Sequence, residues 1–152
     1  MRKRLIDGEP RGTGEDWLDL TTIAQVEITS EDADHPIESA LSGATPGWRA
    51  SDRGEQRIRL LFDKPQSIRR IRIAFDVDTA RTQEFVLRWS ADDGRTCREV
   101  VRQQYTFSPP NTTREVEDYT VNLTDVTLLE LQIAPDISGG TARASLQQLR
   151  VA

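Results

Sequence analysis

Pro36-Ile37-Glu38-Ser39-Ala40-Leu41-Ser42-Gly43, then Gly47-Trp48-Arg49-Ala50-Ser51, then Ile58-Arg59-Leu60-Leu61-Phe62-Asp63 with Pro65 behind it, form the segment that sets the architecture of this chain. A Gly/Pro-rich loop that presents a tryptophan just before a strand pins a large ring at the margin of a core. Pro36 suits the first position of a short helix over residues 36–41, where its missing N–H leaves nothing unpaired.

Downstream the period-two signal continues. Ile58, Leu60 and Phe62 alternate with Arg57, Arg59 and Asp63, and Ile71, Ile73, Phe75 and Val77 alternate with polar or small residues, as half-buried strands require. Turn residues also bound strands over 23–30, 84–90, 99–105, 116–123, 128–134 and 145–151, eight in all with 58–63 and 71–77. No window of helical length carries an apolar stripe with caps. The expected class is all-β, an eight-stranded jelly-roll sandwich, with a lipocalin-like barrel as the structural alternative. Residues 1–15, charged and without apolar periodicity, read as a loosely ordered arm before a single domain over 16–152.

The net charge of -5 argues against capture of nucleic acid or an anionic membrane surface, both of which need a basic face. All but Lys3 and Lys64 of the 20 basic residues are arginines, scattered rather than clustered. Met1-Arg2-Lys3-Arg4-Leu5-Ile6 runs into Asp7-Gly8-Glu9-Pro10 where an export signal needs an apolar run. No segment approaches the length of a membrane span, and Cys97 has no partner for an internal disulfide. The expectation is a soluble protein of a reducing, cytoplasmic compartment.

Ala40-Leu41-Ser42-Gly43, Trp48-Arg49-Ala50-Ser51, the paired runs 58–65 and 68–75, and Ser90-Ala91-Asp92-Asp93-Gly94 together resemble, in order, motifs of the discoidin or coagulation factor 5/8 type C domain, a galactose-binding-like jelly roll. The resemblance spans residues 22–152 and implies a binding module whose ligands meet loops at one end. It also implies a structural calcium held beside the first turn by main-chain carbonyls and acids. Ser42 stands where that turn carries aspartate, and Gln147 and Gln148 stand where an acid is frequent, so calcium is disfavoured; Glu38 or Asp52 would have to substitute. Cys97 or Arg98 stands where a tryptophan often follows the Asp-Gly turn.

One histidine and one cysteine, without a nucleophile elbow, a zinc-binding helix or a phosphate loop, leave no visible catalytic machinery. The expectation is a noncatalytic module, without cofactor, that binds carbohydrate or, alternatively, acts as an intracellular adaptor for a protein partner. The segment 102–111 brings Arg102, Gln103, Gln104, Tyr105 and Phe107 beside a double proline; rings pack on sugar C–H faces while planar polar groups read hydroxyls. Arg81, opening a strand after an acidic turn, belongs to the same end in the resembling family. The candidate ligand-binding residues are therefore His35, Arg81, Gln104, Tyr105 and Phe107. The competing structural readings make His35 a turn cap, pair Arg81 with Asp76 or Asp78 and Arg102 with Glu115 or Glu117, and bury Tyr105, Phe107, Trp48, Trp89 and Cys97.

Overall fold

The two apolar alternations around Pro65 belong to one strand, β3 (Gln56–Asp76), in a computed structural model that describes residues 16–152. The arm expected over residues 1–15 lies outside the described residues. Pro65 has no N–H for the ladder, and the register against β6 (Arg114–Ala134) slips between Leu61 and Gln66 and again before Arg70. Each slip leaves residues unpaired and bends the ribbon without ending it. The four strands expected over 58–63, 71–77, 116–123 and 128–134 are thus two long bent ones.

The bend makes the sandwich. The first half of β3 pairs with β1 (Ala24–Ile28) and with the second half of β6, which carries β4 (Arg81–Ser90) and then β5 (Arg98–Phe107). The second half of β3 pairs with the first half of β6 and with β8 (Gln148–Val151). Phe75 from the second layer meets Phe85 of β4 at 5.3 Å between ring centroids, so the layers face each other. Ile58, Leu60, Ile71, Ile73, Leu87, Leu131 and Ile133 fill the space between. The fold is an all-β jelly-roll sandwich, and no described helix is long and apolar enough to cross a membrane.

The landmark segment closes one margin. A short α1 (Leu20–Ile23), without an apolar stripe to announce it, seats the buried Leu20. Helix α2 (Ile37–Ser42) starts one residue later than expected, because Pro36 is extended and caps the helix from outside. Gly43, at φ 77°, ends it with its N–H on the Ser39 carbonyl, a left-handed cap that glycine adopts at no steric cost. The run 145–151 is split into β7 (Ser145–Leu146) and β8, and β7 pairs with β2 (Trp48–Arg49). Gly47, at φ 85°, lets these ribbons meet: a Cβ there would stand 2.8 Å from the Leu146 carbonyl oxygen.

The interior is not wholly apolar. Gln103 donates its amide N–H to Glu115 Oε2 (3.1 Å) and Glu117 Oε2 (2.9 Å), and accepts from the Tyr119 hydroxyl at 2.6 Å. Glu115 is 6 % exposed. Burial, then the neighbouring Glu117, pushes its carboxyl up to about 7; burial and the two carboxylates push the Tyr119 phenol up as well. A raised pKa means that folding favours the protonated acid, so the contribution of this group to stability is full below about 4.5 and is lost as pH rises through about 7. Glu115→Gln is expected to raise the melting temperature at pH 8 by several degrees and to change it little at pH 4.5; equal shifts at both pH values would contradict this.

Candidate functional site: an arginine-lined cleft at one end

Three connections converge at the end of the sandwich where β3 stops and β4 begins. Asp76, Val77, Asp78 and Thr79 turn the chain into Arg81; the loop from Asp136 to Arg143 folds back over them; Arg49 reaches in from β2. They enclose a cleft of about 420 Å³.

Arg81 is its fixed element. As the first residue of β4 it is held opposite Phe107. Its Nη1 donates to the Arg143 carbonyl at 2.9 Å and its Nη2 to the Thr79 hydroxyl, so one guanidinium ties both loops. Burial lowers its pKa, the Asp78 and Asp136 carboxylates oppose that, and Arg49 adds like-charge repulsion. Its Nε is enclosed without a partner. Asp136 fixes the far loop by accepting from the Ser138 N–H (3.1 Å) and hydroxyl (2.7 Å), which holds its carboxyl below the usual range. Among the described residues, the Arg49 and Arg143 side chains have no carboxylate partner and remain exposed. The wall therefore offers bidentate donors, carboxylate acceptors and hydroxyls, and no aromatic ring, histidine or cysteine. That set suits the reading of hydroxyl or carboxylate groups by hydrogen bonds.

Of the five residues expected to bind ligand, Arg81 alone lines this cleft. Gln104 lies on the outer face of β5 and donates to Glu84 at 3.3 Å. Tyr105 is half-buried and packs edge-on against Phe107 at 4.8 Å. Phe107 is 1 % exposed and belongs to the core, so its ring presents no ligand surface. The His35 carbonyl accepts from the Arg49 N–H at 3.2 Å, its Nδ1 stands 3.6 Å from Asp32, and it is not among the residues that line the cleft. Two pairings and one burial differ from expectation: Arg81 takes a carbonyl and a hydroxyl instead of Asp76 or Asp78; Arg102 meets Glu84 (3.4 Å) and Glu99 (3.1 Å) instead of Glu115 or Glu117; Cys97 is exposed instead of filling core. Trp48 is buried, and Trp89 packs partly on the core. Arg49, Arg143, Asp76 and Asp78 also line the cleft, and none of them stands out in the sequence as a candidate for ligand binding. The one signal, for Arg49, is its place directly after the landmark tryptophan.

At the first turn the residues present do not fit a calcium ion. The Ser42 carbonyl, a main-chain oxygen of that turn, accepts from Arg150 Nη1 at 3.0 Å. That guanidinium also lies 5.8 Å from the Trp17 ring centroid and closes over Gly43. A fixed cation on the turn repels a second one. Calcium or a chelator is expected to leave the melting temperature unchanged; a shift of several degrees in a thermal scan would contradict this.

No family model matches the chain, and no curated protein matches it. Solved structures do. The family 32 carbohydrate-binding module of C. perfringens NanJ, solved with galactose, aligns with a TM-score of 0.65 at 15% identity, over 89% of this chain and 96% of its own. A pectin-binding module aligns at 0.57 and 19% identity over 85% and 89%. XRCC1, solved with the catalytic domain of DNA polymerase β, aligns at 0.60 and 17% identity over 86% and 96%. The chain has the galactose-binding-like jelly-roll fold that these carbohydrate-binding modules share.

Proposed function

We propose that the protein is a noncatalytic carbohydrate-binding module whose ligand enters the end cleft. The observation that carries this reading is the cleft itself: Arg81 bonded across two loops, Arg49 and Arg143 free of carboxylate partners, and Asp76 and Asp78 on the same wall. Guanidinium groups donate to ring oxygens and hydroxyls, and carboxylates accept from hydroxyls; at Arg49 and Arg143 no carboxylate has first to be displaced. The modules of like fold solved with galactose or described as pectin-binding support the ligand class. A glycan array with wild type and Arg81→Ala tests it: binding to a defined set of glycans, weakened at least tenfold for some of them in the variant, is expected; no glycan bound at any density, or a profile that the variant leaves unchanged, would overturn it.

A second reading, a protein-interaction module, is favoured by one observation, the like-folded XRCC1 solved with a polymerase domain. It predicts capture of a protein partner that Arg81→Ala leaves intact.

A further inference from the structure

We propose a second carbohydrate site at the opposite end of the sandwich, floored by Trp89. It adds to the reading above and rests on it for the class of ligand. Strand β4 runs from Arg81 to Ser90, and at about 3.3 Å per residue its length places the two ends about 30 Å apart. At the Ser90 end a depression of about 390 Å³ is lined by Trp89, Asp92, Thr96, Arg98, Thr124 and Asp125, with Ser90 and Ala91 at its margin.

The components differ from those of the first cleft in a way that matters. Trp89 stands on the inner face, paired with Leu129 on one side and Arg98 on the other, and is packed on the core along only part of its surface. Its remaining surface contributes to the wall of the depression. The open part of an indole held this way is a rigid apolar surface on which the C–H groups of a pyranose can pack, and it loses little rotamer freedom on binding. Around it, Arg98, Thr124 and Asp125 are exposed, and their side chains have no partner among the described residues. They supply a planar donor, a hydroxyl and an acceptor in one rim.

The scaffold beneath is already rigid. The Ser90 hydroxyl donates to Asp92 Oδ1 at 2.6 Å and accepts the Gly94 N–H at 2.9 Å, while Asp92 Oδ1 also accepts the Thr96 N–H at 2.8 Å. The Asp93 N–H is held by Thr127 at 2.9 Å. With one arginine against two aspartates, one of them engaged by the turn, the site carries no cationic excess to select an acidic sugar. Its ligand is a neutral pyranoside.

Two sites facing away from each other let one molecule bridge two polysaccharide chains. The test is calorimetric titration of the whole chain with methyl β-galactoside and with cellotetraose. Five proteins are compared: wild type, Arg81→Ala, the double variant Arg98→Ala with Asp125→Asn, that double variant with Arg81→Ala added, and Trp89→Leu. Asparagine is chosen because Asp125 sits at φ 56°, which asparagine tolerates. The rim residues make no internal bonds, so the double variant is expected to keep the wild-type melting temperature even if Trp89→Leu does not fold. Expected is a stoichiometry of two in wild type and one in the double variant, the survivor being lost when Arg81→Ala is added. A stoichiometry of one that the double variant leaves within twofold in affinity would overturn the second site alone. Heat lost only in the double variant would support the second site and remove the first. No heat in wild type with either sugar would overturn the second site; the glycan array, which covers other sugars, then decides whether the first cleft falls too.

Discussion

Trp48→Ala is expected to cost about 3–5 kcal/mol of stability, the range for deleting a buried aromatic ring whose space does not collapse. The ring is 1 % exposed, and its Nε1–H donates to the Ser30 carbonyl at 3.2 Å. The surroundings have little room to close in, since Trp48 sits on the two-stranded ladder against Leu146 and the preceding Gly47 already brings backbone to backbone. Removal leaves a void and an unpaired Ser30 carbonyl. In a domain of this size about 4 kcal/mol lowers the melting temperature by roughly 10 °C. Urea unfolding of both proteins checks the value. A loss below about 1 kcal/mol with an unchanged slope would show that the ring is not a core element.

Arg81→Ala is expected to weaken carbohydrate binding about ten- to hundredfold, since a hydrogen bond to a charged group contributes about 1.5–3 kcal/mol. Two effects act together. The donors that face ligand are lost, and the tie between Thr79 and the Arg143 carbonyl is released, so both loops must be ordered at the moment of binding. Arg49→Ala, which removes an exposed guanidinium with no structural bond, is expected to cost only severalfold. Titration of both variants against the best glycan separates the contributions, and equal losses would argue that Arg81 acts by charge alone.

The strand alternation and the Gly47-Trp48 landmark were legible because each is a local consequence of burial: Ile58, Leu60, Ile71 and Ile73 all point inward as period two requires. The fusion of four strands into β3 and β6 was not, because Pro65 reads as a terminator in sequence and acts as a bulge when an edge is free to bend. The interior of β6 was also hidden. Val116 is 45 % exposed while Glu115 is buried, an inversion supported by Gln103 of β5, which reaches that strand only in the folded chain and is held there by the Tyr119 hydroxyl. The same holds for the cleft. Arg81 was visible as a polar residue at a strand start, but Arg143 comes to it through a carbonyl contact across the fold. Tyr105 and Phe107 advertised a sugar platform and were taken by the core, the commoner fate of strand aromatics.

The most direct test of the central claim is an amide NMR titration with the glycan that binds best on the array. Binding at the end cleft predicts shift changes in residues 76–81, 136–143 and Arg49, whether or not the Trp89 end also responds, with the β5 amides of Gln104 and Tyr105 little moved. Changes confined to the β5 edge and the 31–35 loop, with the 76–81 and 136–143 amides still, would contradict it.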